Sequence, residues 1–388
     1  MLKNYFADLH IHIGRDMYGK PVKITGAKSL TLTNVLKEAS RRKGIELIGV
    51  IDCHAPAVQE EIKQLMESGE AQELADGGIR FENVTLIPGA EIEVYDEYAK
   101  GPIHVLCFFP SLERIGQFSE WLVGKMKNIT LSSQRYYGTG KELQYKTKEL
   151  SGLFLIAHAF TPFKSLYGKG VAQSLEEVFD PDLVDGVELG LSSDTTMADA
   201  IEELQSYTFV TNSDAHSLAK IGREYQSILM KEPSFKELEL ALHEVEGRHV
   251  SENYGMNPLL GKYYRTVCAD CFTEAPPGTA VCPSCGSKKI VKGVRDRIEE
   301  LATEHPRVRK RPPYKHQVPL EYLPKLGPKT FEKLLSRFGT EMEVIHRASL
   351  EGLKETVPDP LAEAIIRNRR GEADVQAGGG GKYGKINP

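Results

Sequence analysis

The chain has 388 residues, of which 40% are hydrophobic and 27% charged, with a formal net charge of −5. That length suits roughly two or three domains with real cores, and the composition excludes a disordered acidic chain, a collagen-like repeat and a disulfide-stapled miniprotein. The small total conceals a division: residues 1–250 hold 26 Lys and Arg against 37 Asp and Glu, a net of −11, whereas residues 251–388 hold 23 against 17, a net of +6.

An acidic front can hold cations, and a basic back suits a polyanion. The first eight residues lack a basic segment followed by a long apolar core, and no apolar run approaches bilayer length. A cytoplasmic protein with no membrane contact is expected.

From the N-terminus, short apolar, β-branched runs fall at residues 5–12, 46–54, 84–93, 102–109, 153–158, 184–189 and 207–216. Amphipathic, helix-like segments lie between several of them, at 32–43, 60–68 and 174–179. Repeated β–α units predict a parallel sheet, either doubly wound or closed into a barrel.

The C-terminal ends of these runs carry Asp8, His10 and His12; Asp52 and His54; Glu91; His104; His158; Glu188; and Asp214 and His216. In a parallel α/β barrel such ends share one rim, where catalytic groups collect. Residues i and i+2 of a strand face the same way, so His10 with His12, and Asp214 with His216, can each serve one ion. A lone strand histidine is more often a satisfied buried side chain. Gathering this many imidazoles and carboxylates without cations is costly, however. Mixed His and carboxylate donors suit Zn²⁺, Mn²⁺ or Fe, and the set is too large for one ion.

In this order, Asp8-Leu9-His10-Ile11-His12, Asp52-Cys53-His54, Gly89-Ala90-Glu91, Ile103-His104-Val105-Leu106, Ile156-Ala157-His158 and Ser213-Asp214-Ala215-His216 resemble the motifs of the polymerase-and-histidinol-phosphatase (PHP) superfamily. The resemblance covers about residues 1–250. It implies a distorted seven-stranded β/α barrel with a phosphoesterase site of two or three divalent metals, Zn²⁺, Mn²⁺ or Mg²⁺. By position it implies His10, His12, His54, Glu91, His104, His158, Asp214 and His216 as ligands, with Glu91 a bridge, and Asp8, Glu91, Asp214 and His216 nearest the chemistry. Two places depart from the pattern. Cys53 separates Asp52 from His54, which leaves open which of the two faces the metals. Asp16 stands near the position of a further acidic ligand, but in a glycine-containing loop, and reads as a loop residue. Glu188 has no matching motif.

In the basic back half, Cys268 and Cys271 are followed, after ten residues, by Cys282 and Cys285, with Gly278 and Gly286 at turn positions. Two such knuckles fit a closed, structural Zn²⁺ site, because all four positions of a tetrahedron are filled. The other two cysteines, Cys53 and Cys107, lie alone in apolar runs, as in a reduced chain.

Residues 288–316 hold ten Lys and Arg against four Asp and Glu. Within them Arg307, Arg309, Lys310 and Arg311 are read as a phosphate-contacting stripe, a solvated linker being the alternative. Residues 320–335 read as helix, tight turn at Gly327 and helix, with Lys329 just inside the second helix. A weaker echo follows at 350–367, turning at 357–360. Together they resemble a tandem helix-hairpin-helix module, whose amides grip DNA phosphates without reading sequence; an ordinary helical bundle is the alternative. Residues 375–386 include four consecutive glycines and read as a flexible tail or as backbone able to approach a phosphate.

The whole order resembles the endonuclease Q family of DNA-repair nucleases over nearly the full chain. The implied division is a PHP catalytic domain at 1–252, a zinc ribbon at 253–292, a helical DNA-binding domain at 293–370 and a tail at 371–388. The implied reaction is incision 5′ to deoxyuridine, deoxyinosine, deoxyxanthosine or an abasic site, leaving a 3′-hydroxyl and a 5′-phosphate. Double-stranded or single-stranded DNA would be the partner of a monomer, with a sliding clamp as a further candidate. Because such enzymes extrude the target base, Tyr136, Tyr137, Phe160 and Phe163 become candidates to stack on it, and Asn212 and Ser213 to hydrogen-bond it. Core packing is the commoner use of any one of these aromatics. The competing readings are a phosphatase of small monoesters and a DNA-binding protein without catalysis.

Overall fold

The computed structural model describes residues 1–376, 378 and 384–386, apart from 262, 277, 305, 307, 308, 373 and 374. Arg307 of the basic stripe and most of the glycine run lie outside the described residues.

The N-terminal part is built on strands β1 (Lys3–Ile11), β2 (Leu47–Val50), β3 (Ala71–Glu73), β4 (Ile79–Phe81), β5 (Val84–Val94), β6 (Ile103–Phe108), β7 (Arg135–Tyr136), β8 (Leu153–Ile156), β9 (Gly186–Glu188), β10 (Phe209–Val210), β11 (Tyr225–Met230) and β12 (His249–Gly255). Their hydrogen-bonded order is β10-β9-β8-β6-β5-β2-β1-β11-β12, so the expected runs follow one another around a curled sheet. A single bridge, Ile11 with Ala215, joins the end of β1 to the segment after β10. Its hydrogen bonds, His12 N to Ala215 O and Ala215 N to His10 O, are both 3.1 Å. This closure sets the first and last motifs side by side.

The sequence predicts a parallel sheet, but the sheet is mixed. β6 runs antiparallel to both β5 and β8, while β1, β2, β5 and then β8, β9, β10 pair in parallel. The link from β5 to β6 is too short for a crossover helix, which takes roughly a dozen residues, so the two strands form a hairpin. His104 therefore reaches the rim from the beginning of its strand.

Along each central strand, adjacent residues serve different cores, as the period of two requires. Ile87, Leu106, Phe108 and Leu155 belong to one apolar cluster with Leu9, whereas Leu86, Val105, Phe154 and Ile156 belong to the other. The second cluster takes up the apolar stripes of α1 (Leu32–Glu38), α2 (Pro56–Glu67), α3 (Leu112–Leu122) and α4 (Gly140–Glu149), through Val35, Ile62, Phe118 and Leu143. The helical segment expected at 174–179 is a single 3₁₀ turn, Leu175–Glu177. A short helix, α5 (Thr195–Ala198), and α6 (Phe235–Leu242) complete this half, α6 seating Leu238 and Ala241 in the first cluster.

Beyond β12 lies a small hairpin, β13 (Val267–Cys268) with β14 (Ile290–Val291), that carries the four cysteines. Helix α7 (Val294–Leu301) follows, tied back through Asp296, which accepts from Thr266 N at 2.7 Å. Strand β15 (Tyr314–His316) then adds to β12 in parallel, so the chain rejoins the large sheet inside the region expected to be a separate helical domain. The last part comprises α8 (Pro328–Phe338), α9 (Leu350–Lys354) and α10 (Asp359–Arg370). Of the first expected hairpin only the second arm is a full helix; the first is one 3₁₀ turn, Leu320–Tyr322. The echo forms as read, α9 and α10 flanking a turn. This module is fastened to the N-terminal part by a buried pair, Lys43 Nζ to Glu341 Oε1 at 2.5 Å, and by His346 stacked on Phe6 at 4.5 Å between ring centroids. No helix among the described residues is long and apolar enough to cross a membrane.

Candidate active site

The ring closure gathers imidazoles and carboxylates from five parts of the sheet. Asp214 Oδ1 lies 3.5 Å from His10 Nε2, 3.4 Å from His12 Nε2 and 3.3 Å from His216 Nε2. Glu91 Oε1 lies 3.4 Å from both His10 Nε2 and His158 Nε2, and 2.8 Å from His104 Nδ1. Two donor groups result, His10, His12 and Asp214 on one side and Glu91, His104 and His158 on the other. Most of these spacings are long for hydrogen bonds, yet close to the separation of about 3.4 Å between tetrahedral ligands that each sit about 2.1 Å from one ion.

The outer ring nitrogens support the same reading. His10 Nδ1 is 2.9 Å from Glu188, His12 Nδ1 3.0 Å from Asp52, His216 Nδ1 3.1 Å from Thr25 and His158 Nδ1 3.2 Å from Thr161. Each of these four imidazoles is held from outside, so its Nε2 turns to the centre, the usual arrangement around a metal; His104 is turned the other way, with Nδ1 toward Glu91. His10 Nε2 and His12 Nε2 are fully buried without a hydrogen-bond partner. Buried polar atoms rarely go unsatisfied, and an ion is the partner this donor set fits. Burial disfavours ionisation of Glu91 and Asp214. The imidazoles around them, with Lys23 beside Glu91, outweigh it and hold both carboxyls well below the usual range.

Backbone strain accompanies the cluster. His158 has φ 28° and Asp214 φ 45°, a region that disfavours residues with a Cβ and is tolerated where the surroundings impose it. Gly190 lies beneath His158, and a Cβ there would fall 2.9 Å from the His158 Cβ.

The cluster floors a cavity of about 1110 Å³. Lys23, Lys164, Lys220 and Arg223 line it, as do Phe163 and Tyr263, whose rings meet edge to face at 5.6 Å. The C-terminal module contributes Tyr322, which receives a hydrogen bond from Lys220 Nζ at 2.8 Å. Gly384 of the tail also lines it, and Gly384 N and Gly378 N donate to Leu260 O and Leu259 O, so these tail residues are tied to the mouth. Sequence reasoning missed Lys23, which lies 3.2 Å from Glu91 Oε2 and donates to Ser133 at 2.6 Å. Its position soon after the first motif was the only signal. Nothing in the sequence joined Tyr322 to a histidine cluster hundreds of residues away.

Several candidates lie elsewhere. Both oxygens of Asp8 are occupied by backbone amides, of Ser213 and His10 on one side and Gly222 on the other, so Asp8 braces the loop that carries Asp214 and stands outside the donor groups. His54 is outside them too: its Nε2 donates to Leu131 O at 3.2 Å, leaving a buried Nδ1 without a partner. Asp16 accepts from the amides of Tyr18 and Lys20 in a local turn, the loop residue expected. Tyr136 is buried against Trp121 and Phe160 against Tyr167, as core residues. Ser213 is buried, and Asn212 spends its Oδ1 on Leu9 N and Gln226 although it borders the cavity. Tyr137 and Phe163 remain exposed, at 49% and 47%.

The basic stripe is also used differently. Arg311 is buried under Phe209, its guanidinium 3.7 Å from the ring centroid, and bonds Asp199, Leu204 O and Tyr207 O. Arg309 pairs with Glu244 at 2.5 Å. Both strap the linker to the N-terminal part, where they meet the carbonyls of Leu204, Gln205 and Tyr207 and the carboxylates of Asp199 and Glu244. Lys310 is exposed. Gly327 and Lys329 are exposed at the start of α8, and Gly327 has φ −81°, so that turn does not demand glycine.

In the ribbon, the Sγ atoms of Cys268 and Cys285 are 3.6 Å apart and those of Cys271 and Cys282 3.5 Å. All four lie within 4.8 Å of one another. That is far beyond a disulfide bond of about 2.05 Å and close to the edge of a four-thiolate tetrahedron.

No family model matches the chain. It is 53% identical over 387 residues to the uncharacterized protein YqxK of Bacillus subtilis, covering all of both chains. It is 36% identical over 259 residues to the uncharacterized protein MJ0043 of Methanocaldococcus jannaschii, covering 59% of this chain and 31% of that one. Among solved structures, the lesion-specific endonuclease PfuEndoQ of Pyrococcus furiosus superposes with a TM-score of 0.85 at 32% identity, over 99% of this chain and 95% of that one. An endonuclease Q complex with a 27-mer duplex bearing an abasic lesion at its active site superposes with a TM-score of 0.84, also at 32% identity, over 99% and 96%. The fold and its histidine and carboxylate site define a metal-dependent hydrolase. Similarity at this level extends through the ribbon and the helical module to nearly the last residue. The chain belongs to the endonuclease Q family.

Proposed function

We propose that this protein is a DNA-repair endonuclease that hydrolyses the phosphodiester 5′ to deoxyuridine, deoxyinosine, deoxyxanthosine or an abasic site. The products are a 3′-hydroxyl and a 5′-phosphate that carries the lesion. The observation that carries this reading is one cavity of about 1110 Å³ whose floor is the metal-ligating cluster and whose wall includes Tyr322 of the helical module. A nucleotide extruded from a duplex needs such a depth beside the reacting phosphate.

When bound, divalent cations supply a nucleophile at neutral pH and neutralise charge on the phosphoryl group being transferred. In this reading His10, His12 and Asp214, with Glu91, His104, His158 and His216, hold two or three of them, as Zn²⁺, Mn²⁺ or Mg²⁺. Asp52, Glu188, Thr25 and Thr161 keep the imidazoles aimed inward. Lys23 and Arg223 draw the anionic backbone to the floor of the cavity, and Phe163 covers the extruded nucleotide. The four cysteines hold one structural Zn²⁺, and residues 1–252, 253–292 and 293–370 work as nuclease, ribbon and DNA grip, with exposed Lys310 and Lys329 at phosphates. The protein acts in the cytoplasm as a monomer, and a sliding clamp is a candidate recruiter.

End-labelled duplexes with uracil, hypoxanthine or an abasic site, incubated with Mg²⁺ or Mn²⁺ beside undamaged DNA, test the reading. One nick 5′ to each lesion is expected, with an upstream end that a polymerase extends. Hydrolysis of small phosphate monoesters without lesion-dependent nicking would favour the phosphatase reading instead.

A further inference from the structure

Next to the catalytic cavity lies a second depression of about 380 Å³, lined by Lys127, Ser133, Gln134, Arg135, Tyr137 and Lys164. The two adjoin: Lys164 lines both, and Ser133 hydrogen-bonds the cluster carboxylate Glu91. The second depression is also held rigidly to the first. Strand β7 pairs with β5, the strand that carries Glu91, through Arg135 with Glu93 and Tyr136 with Val94. Tyr137 N then donates to Lys125 O at 2.8 Å.

Its chemistry is cationic and aromatic. The alternation of an extended strand turns Tyr136 into the core and leaves Arg135 and Tyr137 on the surface. The Arg135 guanidinium lies 4.8 Å from the Tyr95 ring and 5.4 Å from the Tyr137 ring. Lys127 is exposed and has no carboxylate partner among the described residues. Lys164 pairs at 2.9 Å with Glu93, the only acidic residue among the described residues that line the depression. Three cations thus face one carboxylate, beside two exposed aromatic rings, and repel one another unless an anion joins them. Backbone phosphates with stackable bases are the ligand that supplies both complements.

We propose that this depression is a flank subsite: it holds the incised strand as that strand leaves the catalytic cavity, with Lys127, Arg135 and Lys164 on successive phosphates and Tyr137 against a base or sugar. The proposal rests on the reading of the chain as a DNA endonuclease and assigns the path of one strand across it.

The test compares full-length wild-type protein with Lys127→Ala, Lys127→Arg and the double variant Lys127→Ala/Arg135→Ala. The probes are a duplex with a central abasic site and two duplexes trimmed close to the lesion, one on each side. The double variant should bind the untrimmed duplex about 5–30-fold more weakly, with the slope of log K against log salt reduced by about 1–2. Cutting should lose more in KM than in kcat. The deficit should vanish on one trimmed duplex and persist on the other. Lys127→Ala, at an exposed and unpaired position, should show a smaller version of the same change, and Lys127→Arg should restore binding. Wild-type salt slope and affinity in the variants, or a deficit equal on both trimmed duplexes, would overturn the flank subsite while leaving lesion-dependent nicking by the wild type intact. Absence of that nicking would instead remove the endonuclease reading, and the subsite with it.

Discussion

His12 Nδ1 lies 3.0 Å from Asp52 Oδ2, and the same oxygen accepts the backbone N–H of Ile13 at 2.7 Å. Burial opposes ionisation of Asp52, but His12 and Lys23 outweigh it and hold the carboxyl down to about 2. Asp52 therefore acts through His12, fixing which nitrogen faces the cluster. Asp52→Asn should raise the metal concentration needed for half-maximal nicking by about 10–100-fold, with activity recovered in excess metal. A loss of kcat that excess metal does not recover would place Asp52 at the reacting atoms.

Asp214 Oδ1 lies within reach of three imidazoles, at 3.3–3.5 Å. Asp214→Asn keeps its shape and removes its charge, so cutting should fall by about a thousandfold or more, as expected when a metal no longer stabilises the transition state. Duplex affinity, measured by fluorescence anisotropy, should change little, because the basic surfaces are untouched. Equal loss of binding and cutting would point to collapse of the strained loop instead.

Arg311 fills a structural place, with a side chain 6% exposed. Arg311→Ala would strand Asp199 and two carbonyls, at a cost of about 2–4 kcal/mol in urea unfolding. Lys310→Ala, at an exposed position, should leave stability unchanged and lower the salt dependence of DNA binding. A stable Arg311→Ala protein with weakened DNA binding would restore the reading of this run as a phosphate-contacting stripe.

The four-cysteine site should retain one zinc per chain that chelators release slowly. Cys271→Ser should abolish that stoichiometry in a colorimetric zinc assay and open residues 267–291 to proteolysis, because so short a segment has little core of its own. The catalytic half, whose apolar clusters take in no buried residue from 267–291, should keep its unfolding midpoint. Undiminished zinc in the variant would show that the thiolates do not form one site.

His346 fastens the helical module to the catalytic half, stacked on Phe6 and 2.7 Å from Tyr225 OH. Burial first, then Arg369 and Lys315, lower its pKa to about 3. An undocked histidine titrates near 6.5, so it takes up a proton below that pH which the docked one refuses. Docking is fully supported above about pH 6.5 and weakens as pH falls toward 3; at pH 5 the loss amounts to about 2 kcal/mol. The urea midpoint should fall between pH 7 and pH 5, and His346→Phe should shrink that fall. An undiminished fall in the variant would assign the acid sensitivity to other groups.

The order of strands and the residues at their ends were legible because each motif is local. A β-branched run ending in His or Asp announces itself within ten residues. The short hairpin of β3 and β4, and strand β7, carried no such signal, since strands of two or three residues hold too few side chains for a period to emerge. The direction of β6 was legible only as a hairpin-length link, which the alternation of the surrounding β–α units concealed. Arg309, Lys310 and Arg311 looked alike because charge is read from sequence but burial is not.

The sequence by itself determined the chemistry available: which imidazoles, carboxylates and thiolates exist, in what spacing, and that an acidic front is joined to a basic back. Tertiary structure decided which of them meet. The bridge from Ile11 to Ala215 brings His10 and His12 against Asp214 and His216, and the bonds from Ser213 and Gly222 withdraw Asp8 from the same cluster. Metal ligation and phosphate binding depend on distances of a few ångströms between residues far apart in the chain. Those distances are set by sheet closure and burial, which no local pattern encodes.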